Sequence, residues 1–416
     1  MRKKHRGYVR WSIRWRAMKF CLDRNRRHHQ SKQLSAAASP PPPSPPPPFT
    51  LASHMLLSTP TPTRPSLRIA VVGDCYSQWD ERDLEALDAI NPDLALFVGN
   101  YADEDVDTVG LISKAVVSRP SASIFGNRDF LWMARKWRGH HPLSWYRNHG
   151  ASMLQQDVRS RPQFREESLE KMHIMLENSD VGYRVRDFSS LGLSVVGARP
   201  FTNGGRRRGG ARRLYKSKFY RFHWGVRTLE DSSQRIVDSA RAARYGHSTL
   251  VLAHHGPHGL GDSPSDPCGC DWTAPNSPQD WGDPDLESAL KDAQAMPGVR
   301  VPLVVFGHMP STLQGGGART MAVRRGATTF VNAAVHPRWR GVRPGKASRG
   351  IDTETVERAF TLIDLGLEPD LDAGVDEPTA GAGDDVRERA VPWTVTRVKQ
   401  VWLLPTGDVC DEQRLL

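Results

Sequence analysis

The sequence predicts an α/β fold built on a parallel sheet, and three observations carry that reading. Short apolar runs alternate with helical periodicities from residue 67 to residue 125. Each strong run stops at a polar, metal-capable cluster, most of them glycine-led. The β pattern then returns repeatedly after residue 248. Strands that alternate with helices at this spacing pair in parallel, because each helix carries the chain back alongside the previous strand.

The run at 67–72 (LRIAVV) is short, apolar and rich in β-branched residues, and it ends at Gly73-Asp74. Residues 80–90 repeat Leu84, Leu87 and Ile90 on one helical face. A second buried strand at 94–98 (LALFV) ends at Gly99-Asn100, and 106–117 reads as another helix. Residues 123–125 lead into Gly126-Asn127-Arg128-Asp129. The middle, 132–177, is polar and helical, and 181–188 with 193–196 reads as a strand pair. A basic, glycine-broken loop (RRRGGARR, 206–213) is expected to be solvated, and 229–243 is helical. Strands are expected at 250–253, 302–306, 328–331, 359–363 and 395–404, with an acidic loop at 365–388. The resulting division is an N-terminal segment 1–66, a domain 67–405 and a tail 406–416.

The net charge of +11 belongs to one end of the chain. Residues 1–33 hold twelve Lys and Arg against the single acid Asp23, and the rest balances at 45 of each sign. A nucleic-acid-binding body is therefore not expected of the domain. The N-terminus continues into a proline run, 40–48, interrupted by Ser44. Such a run is extended and cannot pack a core. A segment rich in Arg and Ser and nearly free of acids reads as an organellar transit peptide. Plastid is the expected address, with cytoplasm or mitochondrion as alternatives; a polybasic tail is the competing reading, and Met55 offers a second start. Five scattered cysteines form no disulfide framework, and Cys268-Gly269-Cys270 lacks the second pair of a zinc ribbon. No run of 18 apolar residues is present, so no membrane-spanning helix is expected.

Five clusters stand at strand ends: Gly73-Asp74, Gly99-Asn100, Gly126-Asn127-Arg128-Asp129, His254-His255-Gly256-Pro257 and Gly307-His308-Met309-Pro310. In an open α/β sheet the carboxyl ends of strands face one crevice, so the clusters should share a site. One histidine at a strand end is usually packing, whereas five clusters in order are not.

The series resembles the calcineurin-like metallophosphoesterase superfamily, whose signature runs GDxH, GD, GNHD, a His after a strand, and GHxH. The resemblance covers residues 67 to about 404, and it is nearest a cyanobacterial and plant branch through QWD (78–80), HGPHGLG (255–261), CGCDW (268–272) and DWGDPDL (280–286). It implies a two-sheet α/β sandwich flanked by helices, a pair of divalent metal ions (Mn, Zn or Fe) and hydrolysis of a phosphoester, with a His of GNHD protonating the leaving group. Carried over, the metal positions are Asp74, Asn100, Asn127, His254 and His308, and the catalytic positions are Arg128 and Asp129. This chain departs from the pattern at four of its positions: Tyr76, Asn100, Arg128 and Pro310 replace His, Asp, His and His. The first metal keeps only Asp74, while the second keeps Asn127, His254 and His308 and loses the charge of the bridge. The resemblance therefore implies one ion rather than two. Tyr76, His255, His258, Asp103 and Glu104 are the residues near enough in sequence to substitute. Three functions stay open: a weak or one-metal phosphoesterase, an inactive relative that binds a phosphorylated ligand or partner, and a tether acting through the basic N-terminus.

A reporter fused to residues 1–66 is expected to enter plastids; fluorescence that stays in the cytosol would remove the transit reading.

Overall fold

The computed structural model describes residues 66–101, 106–130, 178–205, 223–271, 279–341, 356–367 and 392–416, with a few positions around 172–176 and 220–221. The chain divides into Met1–Ser58 and Thr59–Leu416. The N-terminal segment, most of 132–177, the 206–213 loop, Asp103 and Glu104, and residues beyond 367 in the acidic loop lie outside the described residues.

Two mixed sheets carry the fold. The first strands are β1 (Ser66–Val72), β2 (Leu94–Phe97) and β3 (Ser121–Ser123), joined by helices α1 (Glu81–Ile90) and α2 (Val106–Val117). After them come β4 (Val185–Phe188), β5 (Leu193–Gly197), α3 (Leu229–Arg241), β6 (Ser248–Leu252), α4 (Pro284–Gln294) and β7 (Leu303–Phe306). The chain closes with β8 (Ala322–Arg325), β9 (Thr328–Asn332), β10 (Trp339–Arg340), β11 (Glu357–Leu367), β12 (Trp393–Leu403) and β13 (Val409–Arg414). One sheet runs β13-β12-β11-β1-β2-β3, with β10 on β11, and the other runs β4-β5-β6-β7-β9-β8. β1, β2 and β3 are parallel, as are β5, β6, β7 and β9.

The layering follows from a side-chain period of two. Ile69 and Val71 of β1 join Leu94, Leu96, Leu250, Leu252, Leu303 and Val305 in the core between the sheets. Ala70, Val72, Ala95 and Phe97 point the other way, onto Leu87, Val109 and Ile112 of α1 and α2. Val196, Val251, Val304 and Phe306 do the same against Ile236, Val237, Leu286 and Leu290 of α3 and α4. A strand buried on both faces reads as a continuous apolar run, which is how the sequence presented it.

Four elements carried no sequence expectation: α4, β8, β10 and β13. β13 falls in the stretch set aside as a tail, yet it pairs antiparallel with β12. All six of its residues are exposed, so no apolar alternation marked it. Helix α4 begins inside the DWGDPDL motif, with Pro284 at its first turn. The strand expected at 181–188 is shorter, starting at Val185, since before it only Asp180 and Gly182 form isolated bridges.

Buried arginines fix the loops. Arg338 donates to Asp83 Oδ1 at 2.8 Å and to the Gln78 carbonyl at 2.7 Å, tying the loop after Asp74 to α1. Arg319 spans the carbonyls of Pro264, Asp266 and Gly269 at 2.7, 2.8 and 2.6 Å, which closes the 259–271 loop around Cys268 and Cys270, both buried free thiols. Arg199 pairs with Asp283 and Asp285 at the start of α4.

Asp180 sets a pH dependence. Burial pushes its carboxyl up to about 6, against the opposing Gly182 N–H and Arg184 charge. A folded value above the unfolded one of about 3.9 means that the native state holds the extra proton between the two, so this group's contribution falls as pH rises from 4 to 6. Asp180→Asn is expected to match wild type near pH 4 and to exceed it by about 1–2 kcal/mol above pH 7. Denaturant unfolding across that range checks it.

Candidate functional site

The parallel strands deliver five polar clusters to one edge of the sandwich. Asp74 follows β1, Asn100 follows β2, Asn127, Arg128 and Asp129 follow β3, His254 follows β6, and His308 follows β7. Three non-glycine residues there take the left-handed backbone: Tyr76 (φ 46°), Asn100 (φ 54°) and His308 (φ 72°). Asparagine tolerates that region, whereas Tyr and His need their surroundings to impose it.

Asn127, His254 and His308 meet at one point. Asn127 Oδ1 lies 2.8 Å from His254 Nε2 and 3.0 Å from His308 Nδ1, and the two ring nitrogens are 3.2 Å apart. His254 Nδ1 is 2.7 Å from the Val98 carbonyl. A carbonyl only accepts, so Nδ1 carries the proton and Nε2 faces the site as a lone pair. With both rings neutral, three lone-pair atoms converge with at most one proton among them, on His308. A cation satisfies that arrangement better than hydrogen bonds do. Ligands bonded at about 2.1 Å and meeting near right angles stand about 3 Å apart, so the trio fits one metal ion. Among the described residues no group of three or more His, Cys, Asp and Glu has metal-holding geometry; the third donor here is an amide.

The neighbouring position is built differently. Asn100 Oδ1 accepts the Arg128 backbone N–H at 2.9 Å, which turns its Nδ2 toward Asp74 Oδ1 at 2.6 Å. Asp74 Oδ2 accepts the His308 backbone N–H at 2.8 Å. Asp74 thus has one carboxyl oxygen bonded by the Asn100 amide and the other by the His308 backbone N–H. Burial raises its carboxyl to about 7 against the His308 and Asn100 bonds, which lower it. The Tyr76 hydroxyl is 3.2 Å from Asn100 Nδ2, and the side chain of Pro310 offers no donor atom. Glycine is required beside this network: a Cβ at Gly126 would stand 2.4 Å from Asn100 Oδ1, and one at Gly307 2.6 Å from Asp74 Oδ2.

The two residues carried over as catalytic separate in role. Asp129 is fully buried and collects backbone amides: Gly126 and Asn100 on Oδ2 at 2.8 and 2.9 Å, and Tyr101 on Oδ1 at 2.8 Å. It clamps the loops after β2 and β3 to each other. Arg128 is half-buried, with its guanidinium carbon 5.3 Å from the Tyr76 ring centroid.

Among the described residues, His255 and His258 do not rebuild the first position. His255 packs behind His308, ring centroids 4.5 Å apart, and burial lowers it to about 3. His258 pairs with Glu287 at 3.3 Å. His336, which carried no sequence signal, sits edge-on to Tyr76 at 4.7 Å; the Val98 carbonyl behind His254 was equally silent, because a backbone atom leaves no residue-type signature.

Asp129→Asn replaces one acceptor oxygen with a donor facing backbone N–H groups. It is expected to destabilise the fold by about 2–4 kcal/mol, measurable as a drop in denaturation midpoint with the denaturant slope unchanged.

A family model described as calcineurin-like phosphoesterase matches residues 67–311, more than half of the chain. Among solved structures, the protein TT1561 of Thermus thermophilus is 11% identical, with 65% of this chain and 89% of that chain covered and a TM-score of 0.34. A metallophosphoesterase from Sphaerobacter thermophilus is 12% identical, with coverages of 71% and 82% and a TM-score of 0.21. No curated protein matches the sequence. On the extent of the family match and the two-sheet α/β sandwich, the chain belongs to the calcineurin-like phosphoesterase family.

Proposed function

We propose that this protein is a metal-dependent phosphoesterase working with one ion, held by Asn127, His254 and His308. The observation that carries the reading is the contrast between two adjacent positions. At one, three donor atoms converge within 3.2 Å of each other. At the other, Asn100 hydrogen-bonds Asp74 across the place of a second ion. Once bound, the ion supplies Lewis-acid polarisation of a phosphoryl oxygen. The chain's own part is to hold His254 in the ligand tautomer through Val98, to aim His308 through its amide bond to Asp74, and to present Arg128 to the phosphate.

Turnover by this arrangement is slow for two physical reasons. Arg128 stays protonated and cannot act as a general acid for the leaving group, a role worth about 10²–10⁴-fold. The neutral Asn100 removes the anion that would hold two cations together. A second reading, a phosphate-binding relative without turnover, is favoured by one observation, the guanidinium at the acid's position.

Metal analysis of the full chain loaded with Mn²⁺ or Zn²⁺ is expected to give one equivalent per chain, lost in His254→Ala and in His308→Ala. Two equivalents in the wild type would overturn the one-ion reading. The quadruple variant Tyr76→His, Asn100→Asp, Arg128→His, Pro310→His is expected to bind two ions and to hydrolyse aryl phosphates at least about 10²-fold faster. A wild type that binds its ion yet leaves aryl phosphates untouched would favour the second reading.

A further inference from the structure

The candidate metal position has a neutral donor set, two imidazoles and an amide oxygen, so a divalent ion there keeps both positive charges. Arg128 adds a third, since a guanidinium does not deprotonate. Its backbone is fixed by the 2.9 Å bond to Asn100 Oδ1, and it directly follows Asn127. Its guanidinium lies over the Tyr76 ring, whose hydroxyl is 3.2 Å from Asn100 Nδ2. The cation therefore stands beside the Tyr76–Asn100 pair. Asp74 feels its charge: Arg128 is among the influences that pull that carboxyl down against burial.

The two cations make different demands on a ligand. A guanidinium is a planar fork that engages two acceptor oxygens at once. An ion on Asn127, His254 and His308 engages a third. A phosphomonoester, like inorganic phosphate, offers three non-bridging oxygens and two negative charges near neutral pH. A phosphodiester offers two oxygens and one charge, so it cannot fill both cations without leaving one bond unmade.

The geometry points to Arg128 as a specificity-determining residue that makes this site take a terminal phosphate, of the phosphomonoester class, in preference to a phosphodiester. The assignment rests on the one-ion reading above.

The test compares phenyl phosphate with methyl phenyl phosphate, titrated calorimetrically into full-length protein containing Mn²⁺. The monoester is expected to bind at least about tenfold more tightly. Arg128→Gln should lower monoester affinity by about tenfold and diester affinity by much less, which removes most of the preference. Arg128→Lys, which keeps the charge and loses the fork, should fall between. Equal affinities in the wild type, or a preference that survives Arg128→Gln, would overturn the assignment. Metal content of the same samples separates the two readings. Bound metal without ester preference sinks the role of Arg128 alone. A preference without bound metal sinks the one-ion reading, and with it the three-oxygen argument for Arg128.

Discussion

The architecture of the site depends on one buried carboxylate. Asp129 accepts backbone amides from Gly126, Asn100 and Tyr101, and these belong to loops that leave two neighbouring parallel strands. Burying a charge is costly unless it is hydrogen-bonded, and here both oxygens are engaged. The same bonds hold Asn100 in its left-handed backbone. That conformation aims the Asn100 amide at Asp74 and lets its oxygen receive Arg128. Asp129 thus serves as a backbone clamp between the loops after β2 and β3.

At Asp74 both carboxyl oxygens are engaged by hydrogen bonds, one from the Asn100 amide and one from the His308 backbone N–H. A carboxylate flanked by an amide and a backbone N–H needs no cation, and burial leaves its carboxyl near neutrality. The second position keeps neutral ligands whose lone pairs want a cation. The two neighbouring clusters therefore differ in what their donor atoms meet: Asp74 meets an amide and a backbone N–H, whereas Asn127, His254 and His308 meet one another.

Much of this was legible in the sequence, and the limits have physical causes. Strands buried on both faces gave unbroken apolar runs, so β1, β2, β6 and β7 were plain, and the residues just after each come together at the candidate site. Two outer strands gave nothing: β13 is exposed along its length, and β10 is two residues long. Helix α4 was missed because its first residues fall in DWGDPDL, a stretch read only for its resemblance to the family. Within the site, side-chain types announced Asn127, His254 and His308. The direction of the Asn100 amide was not readable, because it depends on which backbone groups arrive from a residue distant in sequence. The packing of His336 against Tyr76 across the fold was silent for the same reason.

The site straddles the interface between the two sheets. Asp74, Asn100 and Asn127 hang from one, and His254 and His308 from the other. The bonds from His254 to Val98 and from the His308 amide to Asp74 therefore cross from sheet to sheet. Neither sheet carries a half-site that can hold an ion by itself, so the pocket works as a latch between the two layers. A ligand that grips both sides closes that latch, and its binding energy becomes resistance to prising the sandwich apart.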